Sequence, residues 1–302
     1  MSRSPKRTSG KDHQPQDTRL LPKSTIAIVG GTGQMGRLLA KQFKKKGHQI
    51  IIISRDKDEA KQMAKKIGAR SGNIDQVAKA NVVIVSVPIE NTVEVCSNAL
   101  SQMTSNSLLV EISSVKTGVV NRILDAMPSD IEYLSLHPLF GPSAKRAEGQ
   151  NIIAIPVKKR LLSDRLISSL ANMGFAVSIS SVQEHDRVMA AVQVMHHYAY
   201  LIMAVELAKV ARSSRSLSKF LTRSLNKTLN QIGTLGDIWK TVQSIQKLNP
   251  YGLESREQYA SSAKRLASMD ERAISEIKDA VTTIGNIQHP KNSKTNTIES
   301  AK

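Results

Sequence analysis

The chain has 302 residues, 40% of them hydrophobic, and its single cysteine, Cys96, excludes an internal disulfide and a cysteine-built metal centre. This length predicts two folded units, and the lack of a long uncharged apolar run predicts that the chain does not span a membrane. The formal net charge of +18 favours anionic partners, but an aromatic content of 3% disfavours a stacking surface for single-stranded nucleic acid.

Both ends of the chain are polar and basic. Residues 1–23 lack the apolar stretch of a secretory signal and residues 286–302 have a similar composition, so we predict two disordered tails. The cysteine content is typical of a reducing cytoplasm, where we expect the protein. We interpret the excess of Lys and Arg as a solvated surface rather than a nucleic-acid site.

From residue 24 to residue 181, short β-branched runs alternate with amphipathic segments. Strands are predicted at 25–30, 49–54, 81–88, 107–114, 131–138, 151–157 and 175–181, and helices at 37–47, 58–68, 91–103, 117–127 and 161–174. Strands that are apolar without alternation and are followed by helices indicate a parallel sheet buried on both faces. The sequence therefore predicts an α/β domain, a doubly wound Rossmann sheet, over residues 24–181.

Strand patterns stop after residue 181. Residues 184–211 predict a long helix that is apolar on most sides and must be buried within its own domain or against a second subunit. Further helices are predicted at 216–233, at 235–248 and, as one exposed helix, at about 255–284. We therefore predict an all-helical C-terminal domain over residues 182–285, through which the chain forms a homodimer.

A glycine-rich motif directly follows the first strand and opens a helix. Its residues are Gly31, Thr32, Gly33, Gln34, Met35 and Gly36. In this setting the pattern predicts a dinucleotide site: Gly31 allows the tight turn, Gly33 lets the backbone approach the pyrophosphate, and Gly36 permits close helix packing. The free N–H groups at the helix start face the phosphates.

The end of the second strand indicates which dinucleotide binds. Ser54 and Arg55 suit the 2′-phosphate of NADP, because a guanidinium makes forked, charge-assisted contacts with phosphate. Asp56 follows immediately, so NAD stays an alternative. We expect the cofactor to contact three further residues, which follow the next two strands. These are Val87, Pro88 and Ser113.

Polar side chains follow the strands that end near residues 112 and 138. Because carboxyl ends of parallel strands meet at one edge of a sheet, Ser113, Ser114, Lys116 and His137 are expected in one cleft. An imidazole there is suited to accept a proton, since it titrates near working pH.

Five motifs occur in a fixed order: GGTGQMG, VSVPI, SSVKTG, LHPLFGP and EHD. With this set, roughly residues 25–270 resemble the prephenate dehydrogenases, including the related arogenate enzymes. The resemblance implies NAD(P)-dependent oxidative decarboxylation of a cyclohexadienol acid, a small carboxylate substrate, in tyrosine biosynthesis. It leaves prephenate and arogenate as alternatives.

The resemblance also assigns roles to residues. It implies that His137 accepts the proton of the ring hydroxyl and that Ser114 orders this hydrogen bond. It implies that His197 on the long helix helps to hold the substrate's side chain. Gln193 lies one turn earlier on the same face, so we expect both side chains to bind substrate in the interdomain cleft. The alternative for Gln193 is a hydrogen bond within the helical domain.

One position departs from the family pattern. Where the family places an arginine that binds the ring carboxylate, this chain has Ser244, and a neutral hydroxyl cannot replace a bidentate cation. Lys240 and Lys247 share its helical face and are candidate substitutes. The alternatives are a shifted alignment, a different acid as substrate, or lost activity.

Three other functions fit parts of the sequence. The lowest ranked is weak, salt-sensitive binding of nucleic acid through the basic tails. Another two-domain NADP-dependent reductase, of imine or deazaflavin type, would use the glycine-rich turn but has no role for the HP and SVK motifs. An NADP-binding sensor would keep the fold without activity. None of these readings includes a metal.

Overall fold

The computed structural model describes residues 20–141, 144, 147–213 and 217–288. The strands are β1 (Thr25–Val29), β2 (Gln49–Ile53), β3 (Arg70–Gly72), β4 (Val82–Val85), β5 (Leu108–Glu111), β6 (Glu132–Pro138), β7 (Asn151–Lys158) and β8 (Ala176–Ile179). Within the described ranges they form one sheet in the order β3-β2-β1-β4-β5-β6-β7-β8.

Helices cover both faces of this sheet. They are α1 (Gln34–Lys45), α2 (Lys57–Ile67), α3 (Ile89–Leu100), α4 (Thr117–Leu124) and α5 (Leu161–Asn172). Alternate β1 residues enter different cores: Ile26 and Ile28 pack with α1, α2 and α5, whereas Ala27 and Val29 pack with α3 and α4. This arrangement confirms the doubly wound Rossmann fold that the non-alternating strands predict.

The sheet is mixed rather than entirely parallel. Strand β7 runs antiparallel to β6, and β8 then pairs with β7 in parallel. The predicted parallel sheet is confirmed for the other strand pairs, and the β6–β7 pair departs from it, because an apolar run indicates burial on both faces and not strand direction. The short β3 and a 3₁₀ turn at Ile74–Lys79 were not predicted, since neither is long enough to give a hydrophobic period.

The second half of the described chain is helical. It contains α6 (Val182–Met189), a π-helical segment (Ala190–Met195), α7 (His196–Ser213), a 3₁₀ turn (Leu217–Phe220), α8 (Arg223–Asp237), α9 (Trp239–Leu248), α10 (Gly252–Leu266) and α11 (Glu271–Gln288). The single helix predicted over 255–284 is wrong, because the chain breaks between α10 and α11. There the Asp270 carboxylate accepts the Ala273 N–H at 2.9 Å and so begins a new helix.

The second part of the predicted long apolar helix, α7, is not buried by its own chain. No residue of α7 is buried, and Ile202, Met203 and Val205 are exposed. By length and composition alone, the helical stretch Val182–Ser213 is capable of crossing a membrane, and only 17% of its apolar window is buried. Of the helix predicted over 184–211, the first part is buried within this chain, at His185, Asp186, Met189, Ala190 and Val194, and only the α7 part lacks buried residues. The absence of a membrane span stays a prediction.

The predicted tails are slightly too long. Leu21 lies in the core beside α5, and its backbone N–H donates to Ser169 Oγ at 2.8 Å. At the other end, α11 continues to Gln288. The rest of both predicted tails lies outside the described residues.

Candidate active site

The turn between β1 and α1 depends on three glycines that lack room for a Cβ. Gly30 has φ +78°, and a Cβ there would lie 2.2 Å from the Ser86 carbonyl oxygen. A Cβ on Gly36 would lie 2.4 Å from the Gly30 carbonyl oxygen, which confirms close packing at that position. The tight turn assigned to Gly31 belongs instead to Gly30. Gly31 is needed for space, since its Cβ would lie 2.9 Å from the Ile28 carbonyl oxygen.

The start of α1 is shaped to receive an anion. Gly33 is the N-cap residue and has no side chain to cap the helix, and the first turn contains no acidic residue. The N–H groups of the first turn, Gln34, Met35 and Gly36, therefore lack intrahelical acceptors. A Cβ on Gly33 would lie 3.2 Å from the Gly30 carbonyl oxygen, a tight contact that glycine avoids. A pyrophosphate fits this turn.

A cavity of about 700 Å³ opens beside the turn. Its lining includes six of the predicted cofactor residues, Thr32, Gly33, Ser54, Arg55, Val87 and Pro88. The predicted residues Gly31, Gln34, Met35, Gly36 and Ser113 lie outside the lining. Nor do Ser114 and His137 line this cavity, which therefore corresponds to the nucleotide half of the predicted site.

The cavity wall beyond β2 is cationic. Arg55 and Lys57 both line it, and Thr32 Oγ1 lies 2.9 Å from Ser54 Oγ. Asp56 is used differently: its carboxylate accepts the N–H groups of Asp58 and Glu59 and caps α2. Both N–H groups bond to its Oδ1.

Strand register brings the predicted residues into line. Across the sheet, β1, β4, β5 and β6 are aligned at Val29, Val85, Glu111 and Ser135. Two residues further along each chain stand Gly31, Val87, Ser113 and His137. Because adjacent strands are about 4.8 Å apart, His137 lies three strand spacings, roughly 14 Å, from the glycine-rich turn along one edge.

His137 is buried and held by a second histidine. Its side chain is 2% exposed, and its Nδ1 lies 2.8 Å from Nε2 of His185. Burial lowers the pKa of His137 well below the usual 6.5, and the positive charge of Lys116 and the nearby His185 lower it further. His137 is therefore a neutral imidazole at physiological pH, able to accept a proton.

Asp186 continues this chain of hydrogen bonds. Its Oδ1 lies 2.8 Å from His185 Nδ1. The carboxylate also accepts the backbone N–H groups of Lys116, at 2.9 Å, and Thr117, at 2.7 Å. Burial raises the pKa of Asp186, but hydrogen bonds from His185, Thr117 and Lys116 outweigh burial and hold the pKa below its ordinary value.

A buried ion pair lies beneath the same residues. Lys116 is fully buried, and its Nζ donates to Glu111 at 3.0 Å and to the Leu136 carbonyl at 2.7 Å. Burial lowers the pKa of Lys116, although the Glu111 charge opposes the shift. Ser135 also donates to Glu111. The pair thus fixes the strand segment that carries His137.

Ser113 and Ser114 have different surroundings. The Ser113 hydroxyl donates to the Val115 carbonyl at 2.8 Å, and its N–H donates to Glu111 at 2.6 Å, so this side chain is turned into the loop. Ser114 is half-buried, and its hydroxyl has no hydrogen bond to any other residue in the described ranges. Of the two serines, Ser114 is the one available to a ligand.

The predicted substrate residues on the long helix have unused polar atoms. Gln193 Oε1 and His197 Nδ1 are buried and have no hydrogen-bond partner among the described residues. Burial lowers the pKa of His197, and His196 lowers it further. Gln193 lies in the π-helical segment, a distortion often found at functional sites. Unpaired buried atoms are costly, so these two favour a polar ligand.

The Ser244 side chain, at the position where an arginine is expected in the family, has hydrogen-bond partners within the chain. Its hydroxyl contacts the Glu90 carboxylate of α3 and lies 2.7 Å from the Lys240 carbonyl oxygen. Lys240 and Lys247, the predicted substitutes for the arginine, are both exposed. The position of the family arginine is thus occupied by a contact between α9 and α3.

Sequence reasoning assigned no role to several residues of this network. The missed residues are Glu111, His185 and Asp186, and the side chain of Lys116 was placed only in the general cleft. A charged residue inside the apolar run LLVE was one available signal for Glu111. For His185 and Asp186 the signal was the EHD triplet, which is informative only with its contact partners known.

Comparisons with known proteins show the family of this chain. Residues 39–159 match the sequence model of the prephenate dehydrogenase nucleotide-binding domain, and residues 181–279 match that of the prephenate dehydrogenase dimerization domain. A probable arogenate/prephenate dehydrogenase of Methanocaldococcus jannaschii is 27% identical over 251 residues, 81% of this chain and 56% of the relative. The prephenate dehydrogenase [NADP(+)] of Saccharomyces cerevisiae is 24% identical, covering 81% of this chain and 56% of the relative.

The chain thus spans about half the length of the curated relatives it matches. Among solved structures, prephenate dehydrogenase from A. aeolicus, in complex with hydroxyphenyl propionate and NAD+, superimposes with a TM-score of 0.74 at 18% identity. That superposition covers 88% of this chain and 99% of the other. At this identity it supports the fold alone. On the two domain matches, the chain belongs to the prephenate/arogenate dehydrogenase family.

Proposed function

We propose that this protein is a nicotinamide-dependent dehydrogenase that oxidises and decarboxylates a prephenate-like acid in tyrosine biosynthesis. The observation that carries the proposal is His137: a buried, neutral imidazole in register with the glycine-rich nucleotide turn. A base placed there meets the requirement of alcohol oxidation, since hydride leaves a carbon more easily as its oxygen gains negative character.

Each residue of the site then has a task. His137 accepts the hydroxyl proton of the substrate, and Ser114 orders that hydrogen bond. When bound, the nicotinamide accepts the hydride from the same carbon. The ring then loses its carboxylate as carbon dioxide and becomes aromatic, a step that needs no further residue. Gln193 and His197, with their unpaired buried atoms, hold the polar side chain of the substrate.

NADP fits the nucleotide half better than NAD. Arg55 and Lys57 line the cavity where a 2′-phosphate would lie, and Asp56 is engaged in capping α2. A forked guanidinium is suited to a phosphate dianion. The name of the yeast relative, which specifies NADP(+), supports the same choice.

A homodimer is the second part of the proposal. The exposed apolar residues of α7 need cover, and the helical half matches a dimerization domain. A second subunit packed on α7 supplies this cover without a membrane. We also propose a cytoplasmic location, on the ground that the buried Cys96 is a free thiol.

An assay with purified protein tests the activity. Prephenate and arogenate are each mixed with NADP+ or NAD+, and reduced nicotinamide and released carbon dioxide are measured together. We expect both products in equal amounts with at least one acid, fastest with NADP+. Cofactor binding without turnover of either acid would favour the sensor, and turnover that survives His137→Asn would favour another reductase.

A further inference from the structure

The direction of the hydrogen bonds behind His137 determines which of its nitrogens faces the substrate as an acceptor. A neutral imidazole carries its proton on either Nδ1 or Nε2, and only the nitrogen without the proton can take one. Nδ1 of His137 is already bonded to His185, so Nε2 is the nitrogen left for a substrate. Catalysis therefore requires the proton on Nδ1.

Asp186, the last residue in this series of hydrogen bonds, determines which nitrogen of His137 carries the proton. Asp186 is ionised and accepts only, so His185 Nδ1 must donate to it. If His185 carries a single proton, that proton is on Nδ1. Nε2 of His185 then has a free lone pair and accepts a hydrogen bond from His137 Nδ1.

Asp186 itself cannot turn to present a different atom. Backbone N–H groups of Lys116 and Thr117, at the start of α4, donate to its two oxygens. His185 and Asp186 are 3% and 0% exposed, so water does not compete for these bonds. The Asp186 carboxylate thus also caps α4 and ties α6 to the sheet domain.

We propose that Asp186, acting through His185, holds the proton of His137 on Nδ1 and leaves Nε2 as the acceptor for the substrate hydroxyl. Both are positioning residues, since neither reaches the reacting atoms. The inference rests on the proposed function for its catalytic meaning, but the position of the proton is a property of the protein alone.

The variant Asp186→Asn should reverse the direction of the hydrogen bonds between residues 186, 185 and 137, with little change in side-chain shape. The Thr117 N–H keeps the amide oxygen of the new residue on its side, at the position of Oδ2, which the Lys116 N–H also reaches at 3.3 Å. The amide NH₂ then faces His185 Nδ1 and donates to it. His185 then donates through Nε2, and His137 carries its proton on Nε2. The neighbouring exposed residue provides a matched control, Glu184→Gln, with the same chemical change on the same helix.

Nitrogen-15 NMR of the imidazoles distinguishes the two forms, with the His137 signals identified by their loss in His137→Asn. We expect the wild type and Glu184→Gln to carry the His137 proton on Nδ1, and Asp186→Asn to carry it on Nε2. We also expect kcat of Asp186→Asn to fall by roughly 10²- to 10⁴-fold, while the Kd for NADP+ is unchanged.

A wild-type spectrum with the proton on Nε2 would overturn the inference, and so would an unchanged tautomer and kcat in Asp186→Asn. If Asp186→Asn does not fold, the wild-type spectrum decides alone. If the tautomer is as expected but neither acid is oxidised, the proposed function fails and the inference stands.

Discussion

At the scale of single residues, the site combines a neutral base with charges that are all paired. Lys116 is matched by Glu111, and Asp186 by His185 and two backbone N–H groups. This pairing matters because an unpaired charge at such depth costs several kcal/mol. His137 is the group left uncharged, and in the proposed reaction it takes the proton of the substrate hydroxyl.

Replacement of His137 by asparagine tests its role as the base. We expect His137→Asn to lower kcat by roughly 10²- to 10⁴-fold, because an amide does not accept a proton near neutral pH. Binding of NADP+, measured by titration calorimetry, should not change, since His137 lies outside the cavity. The control is His196→Asn, an exposed histidine that should retain full activity.

Stability should depend on pH through the same residue. The folded-state pKa of His137 lies below its unfolded value of 6.5, so the unfolded chain binds the proton more readily. The contribution of His137 to stability is therefore complete above about pH 6.5 and is lost as the pH falls toward the folded-state pKa. Urea unfolding at about pH 7.5 and pH 5.5 should show a smaller loss in His137→Asn than in the wild type. Equal losses would show that His137 is not buried as a neutral group.

Cofactor choice is the third test at this scale. We expect Arg55→Ala to weaken NADP+ binding by roughly 10- to 100-fold and to leave NAD+ binding nearly unchanged, because the guanidinium meets only the 2′-phosphate. Lys41→Ala, an exposed cation on α1 outside the cavity lining, is the control. Equal weakening of both cofactors would place Arg55 elsewhere on the nucleotide.

At the scale of elements, the β1–α1 turn has the tightest steric limits. Gly36→Ala would place a Cβ 2.4 Å from the Gly30 carbonyl oxygen, so the helix must move away from the strand. We expect lower stability and loss of NADP+ binding, measured by thermal unfolding with and without cofactor. The comparison is Gly233→Ala in α8, where nothing lies within 4 Å, and a gain of about 0.5–1 kcal/mol is expected there.

Patterns within one element were predictable, and relations between distant elements were not. The β-branched runs fixed most of the strands because burial on both faces leaves a direct mark on composition. The antiparallel direction of β7 leaves no such mark on the composition. The break between α10 and α11 had a local signal, Asp270 in a capping position, which the helical period outweighed.

The candidate site shows the same division. The positions of His137 and Ser114 follow from motifs at strand ends, because a sheet gathers those ends at one edge. The pairing of His185 and Asp186 with His137 joins residues 48 positions apart, and no local period records such a contact. The contact between Ser244 and Glu90 was likewise not predictable from the sequence, because the two residues lie in different domains.

At the scale of the whole molecule, we expect the exposed apolar residues of α7 to pack against a second subunit. We expect Val205→Glu to convert a dimer into a monomer, because Val205 is 53% exposed in one chain and would bury the new charge in the dimer. Sedimentation velocity measures the change. Leu161→Glu, at a position 59% exposed on α5 of the sheet domain, should leave the dimer intact. A monomeric wild type would contradict the dimer.

A crystal structure of the complex with NADP+ and hydroxyphenyl propionate tests most directly whether His137 is the base. We expect His137 Nε2 to lie about 2.6–3.2 Å from the ring oxygen of the analogue, with Ser114 beside it. An imidazole turned away from that oxygen, or a crevice too closed to admit the ring, would contradict it.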